Sequence, residues 1–339
     1  MVIQENSYLV KDQPIATERD LHIEFIWRWG GSATNSILDP TTKIFTTPGV
    51  EGLIGYKDDA KCAVVYGDPV CASKDLSALS TAFHRYCTQL GKDIVYIATS
   101  KPFTCWAIDN NICGTSIEFG VELRINPQGD PRKLAGSSAH VLRSKVHQAE
   151  RAGVTVHEYN GKEITLEKQI EEVAAAWLAG RKGPQVYIGN VNVFDDRVGK
   201  RWLYATLHGK IVGFVMLNQL KEHGGWFLDK LITNQAPNGT SELLVISAID
   251  LLQGEGCQFL AFGLAPIAEL GEIKGLGKFS TWLARKVYLI SYRILNLAGR
   301  RKFWEKYHPE CEPCYLLFSR KGLGISELIA IRQALNISF

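Results

Sequence analysis

One carboxylate lies where a binding turn is expected. Glu242 follows the turn-forming sequence Pro-Asn-Gly at 237–239, and the apolar run at 243–252 then predicts a buried helix. The first turn of a helix presents unpaired N–H groups and the positive end of the helix dipole, so a negative charge is favoured there. Because loops at the carboxyl ends of strands hold ligands in open α/β sheets, we expect a binding or catalytic site here, with Glu242 facing the ligand.

A basic segment lies near the middle of the chain. Residues 138–153 have an apolar stripe at helical spacing and carry Arg143, Lys145 and Arg151. One of the serines at 137–138 is expected to cap the start of this helix. Two interpretations stay open: a solvated linker helix, or a contact for a polyanion such as an RNA backbone, which requires clustered Lys and Arg.

A second basic region lies towards the carboxyl end. Residues 279–295 are apolar, aromatic and basic, which is typical either of a core helix with charged ends or of a helix on an anionic bilayer surface. Arg300, Arg301 and Lys306 follow within a few residues. Planar guanidinium groups suit phosphate oxygens, and an ammonium suits a developing negative charge.

Composition bounds the class of protein. The chain has 339 residues, enough for two domains, and it is 46% hydrophobic with eight tryptophans, which excludes a disordered chain. The net charge of +3 is too small to identify a partner. No secretory signal and no apolar run of about 20 residues is visible, so we expect a cytoplasmic protein.

The eight cysteines are scattered and lie mostly in apolar surroundings. We therefore expect buried free thiols in a reducing compartment. Cys311 and Cys314 have the spacing of a zinc knuckle, but no second pair lies at metal-site distance, so no metal is expected.

Alternating strand and helix patterns predict an α/β layered fold in two comparable halves. In the first half, strands are predicted at 63–66, 93–98 and 117–125, and a helix at 76–90. In the second half, a helix is predicted at 170–178, a strand pair at 204–207 and 211–217, and a strand–helix–strand unit at 226–263.

Together these segments resemble a known family, the soluble carboxy-terminal domain of bacterial aminoacyl-phosphatidylglycerol synthases of the multiple peptide resistance factor type. Over residues 45–320 five motifs occur in the family's order: Gly-Asp-Pro-Val at 67–70, Leu-Arg to Arg-x-Gly at 142–153, Pro-Asn-Gly at 237–239 with Glu242, Gly-Leu-Ala-Pro at 263–266, and the segment 296–315. There are departures. Glu242 replaces an aspartate, Cys71 a glycine, and Cys311 a residue that is usually Trp.

The resemblance implies an α/β (α+β) fold of tandem N-acetyltransferase-like (GNAT-like) domains joined by a basic helix. We expect domains at 20–135 and 156–320, the second carrying the active site, with the helix at 136–155. It also implies transfer of an amino acid from aminoacyl-tRNA to a lipid hydroxyl such as that of phosphatidylglycerol. No cofactor is expected besides aminoacyl-tRNA as co-substrate. The implied partners are aminoacyl-tRNA and an anionic membrane lipid or membrane surface, which suggests a peripheral position on the inner face of the membrane.

The resemblance also implies roles for single residues. Lys306 is the candidate to stabilise the tetrahedral oxyanion, and Glu242 to bind the α-amino group or to assist deprotonation of the hydroxyl. The expected substrate-binding residues are Asp229, Asn238, Gly239, Pro266, Arg300, Arg301, Glu312 and Tyr315. The expected tRNA contacts are Arg143, Lys145 and Arg151.

Other functions stay open. An acyl-CoA N-acyltransferase needs a glycine-rich pyrophosphate loop, whereas the turn at 234–239 has one glycine and a proline that removes a donor, which counts against CoA. A different acceptor (a sterol, a peptide or a small molecule) would keep aminoacyl transfer. A non-catalytic module that binds tRNA or membrane is the weakest alternative, because Glu242 and Lys306 both carry usable chemistry.

Overall fold

A computed structural model describes residues 17–59, 61–161, 163–180, 193–295 and 297–335, with the backbone alone at 298 and 300. The elements of the first half are α1 (Glu18–Trp29), β1 (Lys43–Phe45), β2 (Gly52–Asp58), β3 (Cys62–Tyr66), β4 (Val70–Cys71), α2 (Leu76–Gln89), β5 (Asp93–Thr99), α3 (Lys101–Asp109) and β6 (Thr115–Ile125). The basic helix α4 (Ser137–Arg151) follows. The elements of the second half are β7 (Thr155–Glu158), α5 (Ile164–Ala179), β8 (Lys200–Leu207), β9 (Lys210–Leu220), β10 (Gly225–Thr233), α6 (Thr240–Gly254), β11 (Leu260–Pro266), β12 (Ile273–Lys274), α7 (Lys278–Ile294), α8 (Ala298–Glu305), β13 (Glu310–Phe318) and α9 (Ile325–Ala334).

The predicted strands and helices are therefore present. The predicted serine cap of α4 is wrong: the residue before the helix is Gly136, and no side chain caps the first turn. Gly136 has a φ of 106°, a backbone conformation that glycine adopts without strain.

The described strands join in one sheet of thirteen strands, whose main path runs β1-β2-β3-β5-β13-β6-β11-β10-β9-β8-β7. Each half repeats the same order: two antiparallel strands, a helix, a strand parallel to the second one, further helix, and a last strand. That last strand crosses to the other half, so that β13 pairs with β5 and β6 pairs with β11. β6 and β13 pair with each other at the centre.

This repeated order confirms the tandem N-acetyltransferase-like fold. Because the sheet is continuous and each half donates its last strand to the other, the division at 20–135, 136–155 and 156–320 stays a prediction.

Helices cover both faces of the sheet. Alternate side chains of a strand point to opposite faces, and they pack into two different hydrophobic clusters. Leu217 of β9 packs with α4 and α6, whereas its neighbour Met216 packs with α5. Leu142, Val146 and Ala149 of α4 are buried in the first of these clusters. Burying each of the two larger side chains contributes about 1.5–3 kcal/mol, so α4 is a structural helix with a basic outer side. Among the described helices, none is long and apolar enough to cross a bilayer.

Candidate functional site

The two strands that flank α6 separate partway along their length. β10 and β11 are parallel and paired only at Trp226 with Leu260 and Phe227 with Ala261. Beyond these pairs β10 continues to Thr233 and β11 to Pro266, and both strands have a register shift where they part. We call the gap between residues 228–233 and 262–266 the β10–β11 wedge. Such a gap at the carboxyl end of parallel strands is a typical ligand position.

A buried ion pair bridges the wedge on one face of the sheet. Glu242 lies in the first turn of α6, which packs on β10, and Lys306 follows directly after α8, which packs on β11. The Lys306 ammonium donates a short hydrogen bond to Glu242 Oε1. The two side chains are 13% and 10% exposed. The structure thus brings together the two residues expected to carry the chemistry.

Aromatic packing fixes the position of Lys306. The ring of Trp304 stacks on Phe262 of β11 with ring centroids 4.3 Å apart, and Tyr307 also contacts Phe262. The Lys306 ammonium lies 4.0 Å from the centroid of the Phe303 ring, a distance at which a cation and a ring attract. The buried hydroxyl of Tyr307 has no hydrogen-bond partner among the described residues, and its burial together with the nearby Glu242 carboxylate raises its pKa.

The turn before α6 is pressed against the basic helix. Gly239 has a left-handed backbone with φ of 94°, and a Cβ atom at this position would overlap the carbonyl oxygen of Lys145. Only glycine meets both conditions, which explains the Pro-Asn-Gly sequence. Within this turn, the N–H and the hydroxyl of Thr240 both donate to the Pro237 carbonyl, at 3.2 and 2.7 Å. Asn238 is exposed beside them.

The three expected tRNA contacts lie on α4, in different situations. Arg143 is half-buried, and its guanidinium donates to the carbonyl oxygens of Arg132 and Leu134. Lys145 is half-buried at the Gly239 turn. Arg151 is exposed, and its guanidinium donates to the His147 carbonyl at 3.3 Å.

Asp229 lies apart from the Glu242–Lys306 pair, in a second polar cluster at the start of the wedge. It accepts hydrogen bonds from the side chains of Asn35, Asn218 and Lys230, at 3.1, 3.2 and 2.7 Å. Asn218 is buried, and its Oδ1 has no hydrogen-bond partner among the described residues. Burial lowers the pKa of the nearby Lys200, while the Asp229 and Asp196 carboxylates act in the opposite direction. Asn35, Asn218, Lys200 and Lys230 were not predicted.

The remaining predicted residues are spread along the centre of the sheet. Pro266 pairs with Gly120 at the end of β11. Glu312 accepts a hydrogen bond from Arg124 at 2.6 Å, which leaves it in a surface ion pair. Tyr315 is buried beside β5, and burial raises its pKa to about 12. None of these contacts joins the residue to Glu242 or Lys306.

The two predicted arginines belong to α8. The side chain of Arg300 lies outside the described part of the structure. Arg301 lines a shallow cavity of about 220 Å³ together with Leu123, Glu305, His308 and Cys311, and lies 3.5 Å from the Glu305 carboxylate. Two of its lining residues, Glu305 and His308, lie within two residues of Lys306 in the sequence.

One motif of the first half proves to be structural. Asp68, in the Gly-Asp-Pro-Val turn, accepts hydrogen bonds from both the N–H (2.9 Å) and the hydroxyl (2.6 Å) of Ser100, the residue that caps α3. Burial raises the pKa of Asp68 to about 6, although these bonds favour the charged form.

All eight cysteines are free, and Cys105 and Cys311 are exposed, so the expectation of buried thiols is wrong for these two. No three metal-ligating side chains cluster within the described ranges.

Residues 28–318 match the sequence family described as phosphatidylglycerol lysyltransferase, C-terminal. The chain belongs to this family. A phosphatidylglycerol lysyltransferase of Bacillus subtilis (strain 168) is 22% identical over 338 residues, which cover 96% of this chain and 38% of the relative. The chain thus spans little more than a third of the length of that curated relative.

Two solved structures share the fold of this family member. The carboxy-terminal domain of a putative lysylphosphatidylglycerol synthetase from Agrobacterium fabrum superposes with a TM-score of 0.75 at 18% identity, covering 93% of this chain and 95% of that one. L-PGS from Bacillus licheniformis has the same TM-score at 19% identity, covering 95% and 98%.

Proposed function

We propose that this chain moves an amino acid from aminoacyl-tRNA to a lipid hydroxyl such as that of phosphatidylglycerol. The observation that carries the proposal is the buried Glu242–Lys306 pair across the β10–β11 wedge. Membership of the family supports the reaction class, and the names of the relatives make lysine the first amino acid to test.

The pair suits an exchange between two esters. The lipid hydroxyl oxygen attacks the carbonyl carbon of the aminoacyl ester, and a tetrahedral oxyanion forms. The bond from that carbon to the ribose oxygen then breaks, and the ribose oxygen takes the proton that leaves the hydroxyl. Because both bonds are esters, the enzyme mainly has to align the reactants and stabilise the oxyanion.

The resting ion pair assigns a role to each partner. The α-amino group of an aminoacyl ester is a cation when protonated, and it can replace Lys306 as the partner of Glu242. Lys306 is then available to the oxyanion, where a fixed charge in a water-poor site is most effective. Arg301, beside the cavity at 123, 305, 308 and 311, is the candidate for a phosphodiester of the lipid or of the tRNA end. The exposed Arg151, with Lys145 at the turn, is the candidate for the tRNA backbone.

Acyl-CoA is disfavoured as the donor. A pyrophosphate at the start of α6 would need free N–H groups, whereas the Thr240 N–H is bonded to the Pro237 carbonyl. It would also meet the Glu242 carboxylate in the first turn, where like charges repel. The reaction needs no cofactor besides the co-substrate, and we propose that it takes place at the inner membrane surface.

The test supplies tRNA charged with labelled lysine, together with phosphatidylglycerol vesicles, and measures the label that enters the organic phase. Transfer that depends on intact tRNA supports the proposal. Transfer supported by acetyl-CoA alone would contradict it, and label on a sterol or peptide in place of the glycerolipid would change the acceptor.

A further inference from the structure

Large apolar side chains cover the outer face of α7. No residue of this helix is buried, and Phe279 is 73% exposed, Trp282 54% and Ile290 57%. Leu283, Val287 and Ile294 share this face and are also exposed. Monomeric proteins rarely expose so many large apolar side chains on one helix unless the face binds something.

The opposite face of α7 is firmly attached to the sheet. The Tyr288 hydroxyl lies 2.8 Å from the Phe119 carbonyl oxygen and 2.6 Å from that of Ile267. The Arg285 guanidinium donates to the carbonyl oxygens of Leu270 and Gly271. The apolar face therefore points outward in the folded protein and is not a loosely packed core face.

Cations lie on and beside the exposed apolar face. Lys278, Lys286 and Arg293 are exposed, and none of them has an ion pair with any residue that the structure describes. An amphipathic helix with aromatic residues and unpaired cations fits the surface of an anionic bilayer, where rings lie at the headgroups and each cation adds attraction. The same cations would repel each other if two copies of this face packed together.

A second helix, α9, also has exposed apolar side chains. α9 packs inward on the same buried cluster as α7, through Ala330 and Tyr288 respectively. On its outer side α9 exposes Ile325 (78%), Leu328 and Ile329.

We propose that the outer face of α7 docks on an anionic lipid bilayer, with the helix lying in the plane of the headgroups. The inference deepens the proposed function, on which the choice of a lipid partner rests. α7 ends at Ile294, α8 begins at Ala298, and Lys306 follows α8 directly. The helix that would hold the bilayer is therefore separated from Lys306 by little more than α8 in the sequence.

The experiment measures co-sedimentation of the full chain with vesicles of phosphatidylcholine alone or with a quarter phosphatidylglycerol. We expect binding to the anionic vesicles that weakens with salt. Trp282→Ser with Ile290→Ser should weaken it by about tenfold or more, and Lys278→Gln with Lys286→Gln by about tenfold. Ile164→Ser and Lys168→Gln, at exposed positions of α5, are the matched controls and should bind like the parent.

Unchanged binding of the α7 variants, or equal binding of the parent to neutral vesicles, would overturn the inference. A dimer in light scattering that the α7 variants dissociate would assign the face to a second copy instead. Transfer to a short-chain phosphatidylglycerol that dissolves as monomers separates docking from catalysis: the α7 variants should keep it and lose transfer on vesicles. If the parent transfers to neither form, the proposed function fails while vesicle binding still decides the docking.

Discussion

The two halves of the molecule use the same order of elements and differ at the parallel strand pair. In the first half β3 is paired with β5 along its whole length, from Cys62 with Asp93 to Tyr66 with Ile97. In the second half β10 and β11 separate after two pairs and leave the wedge. The carboxylates of the following turns differ in the same way, because Asp68 accepts hydrogen bonds from Ser100, the cap residue of α3, whereas Glu242 is paired with Lys306 across the gap.

This difference indicates that one half acts as a scaffold and the other carries the chemistry. A strand pair that is closed along its length leaves no room between the strands, and the nearby Asp68 carboxylate is hydrogen-bonded to Ser100. An open pair offers space, a helix N-terminus and an ion pair that a charged substrate can exchange.

Removing the cation of the second half should have the largest effect. Lys306→Ala should lower turnover by about a hundredfold or more, because the oxyanion loses its partner. It should also cost about 3–5 kcal/mol of unfolding free energy, because Glu242 remains buried without a partner. Labelled-lipid formation and chemical denaturation measure the two effects.

The double variant Glu242→Gln with Lys306→Met separates the effect on turnover from the effect on stability. A neutral pair of similar size should recover most of the lost stability. It should recover none of the turnover, and a double variant as active as the parent would show that the pair is only structural.

Next in size is the turn of the second half. Gly239→Ala should destabilise the protein by about 3 kcal/mol or more, because it combines a left-handed backbone with a clash against the Lys145 carbonyl. Gly91→Ala in the first half is the matched control: its φ is 65°, but the space around it is open, so we expect about 1 kcal/mol. Equal losses of unfolding free energy in the two variants, measured by chemical denaturation, would contradict the close contact between Gly239 and α4.

Asp68, the carboxyl group of the first half, should affect stability and not turnover. The pKa of Asp68 is raised to about 6, so the folded state binds a proton that the unfolded state releases near pH 4. Stability from this group is therefore present below pH 4 and lost as the pH rises to 6. Asp68→Asn should remove this pH dependence, which we expect to amount to about 2–3 kcal/mol of unfolding free energy, and should leave turnover unchanged. Denaturation at several pH values measures this dependence, and a large loss of turnover in the folded variant would contradict the scaffold role.

The smallest effect should come from single surface cations. Arg151→Gln on α4 should weaken tRNA binding a few-fold and lower the slope of log affinity against log salt by about one. Arg85→Gln on α2 of the first half is the control, since Arg85 is equally exposed on the other half. Filter binding at several salt concentrations measures both affinities. Equal losses of tRNA affinity in the Arg151→Gln and Arg85→Gln variants would contradict a contact made through α4.

Local sequence patterns predicted the elements well. The 226–263 unit was predicted from periodicity and turn residues, both of which act over a few residues, and its two strands are indeed parallel. The exchange of β6 and β13 between the halves was not predicted, because pairing between distant strands leaves no local pattern.

The site was predicted only in part for the same reason. Glu242 and Lys306 are 64 residues apart, and family motifs suggested both without indicating their contact. One of the three partners of Asp229 in the second polar cluster, Asn35, is 194 residues away in the sequence, and no motif around Asn35 indicates a site. The serine cap of α4 failed because Gly136 already provides the required turn.

Lipid formation by one variant of each half decides which half carries the chemistry. Two stable variants, Asp68→Asn in the first half and Glu242→Gln with Lys306→Met in the second, are given charged tRNA and phosphatidylglycerol vesicles beside the parent. We predict that labelled lipid forms at the parent rate with Asp68→Asn and stays at background with the double variant. Labelled lipid from the double variant at the parent rate would contradict the assignment of the chemistry to the β10–β11 wedge.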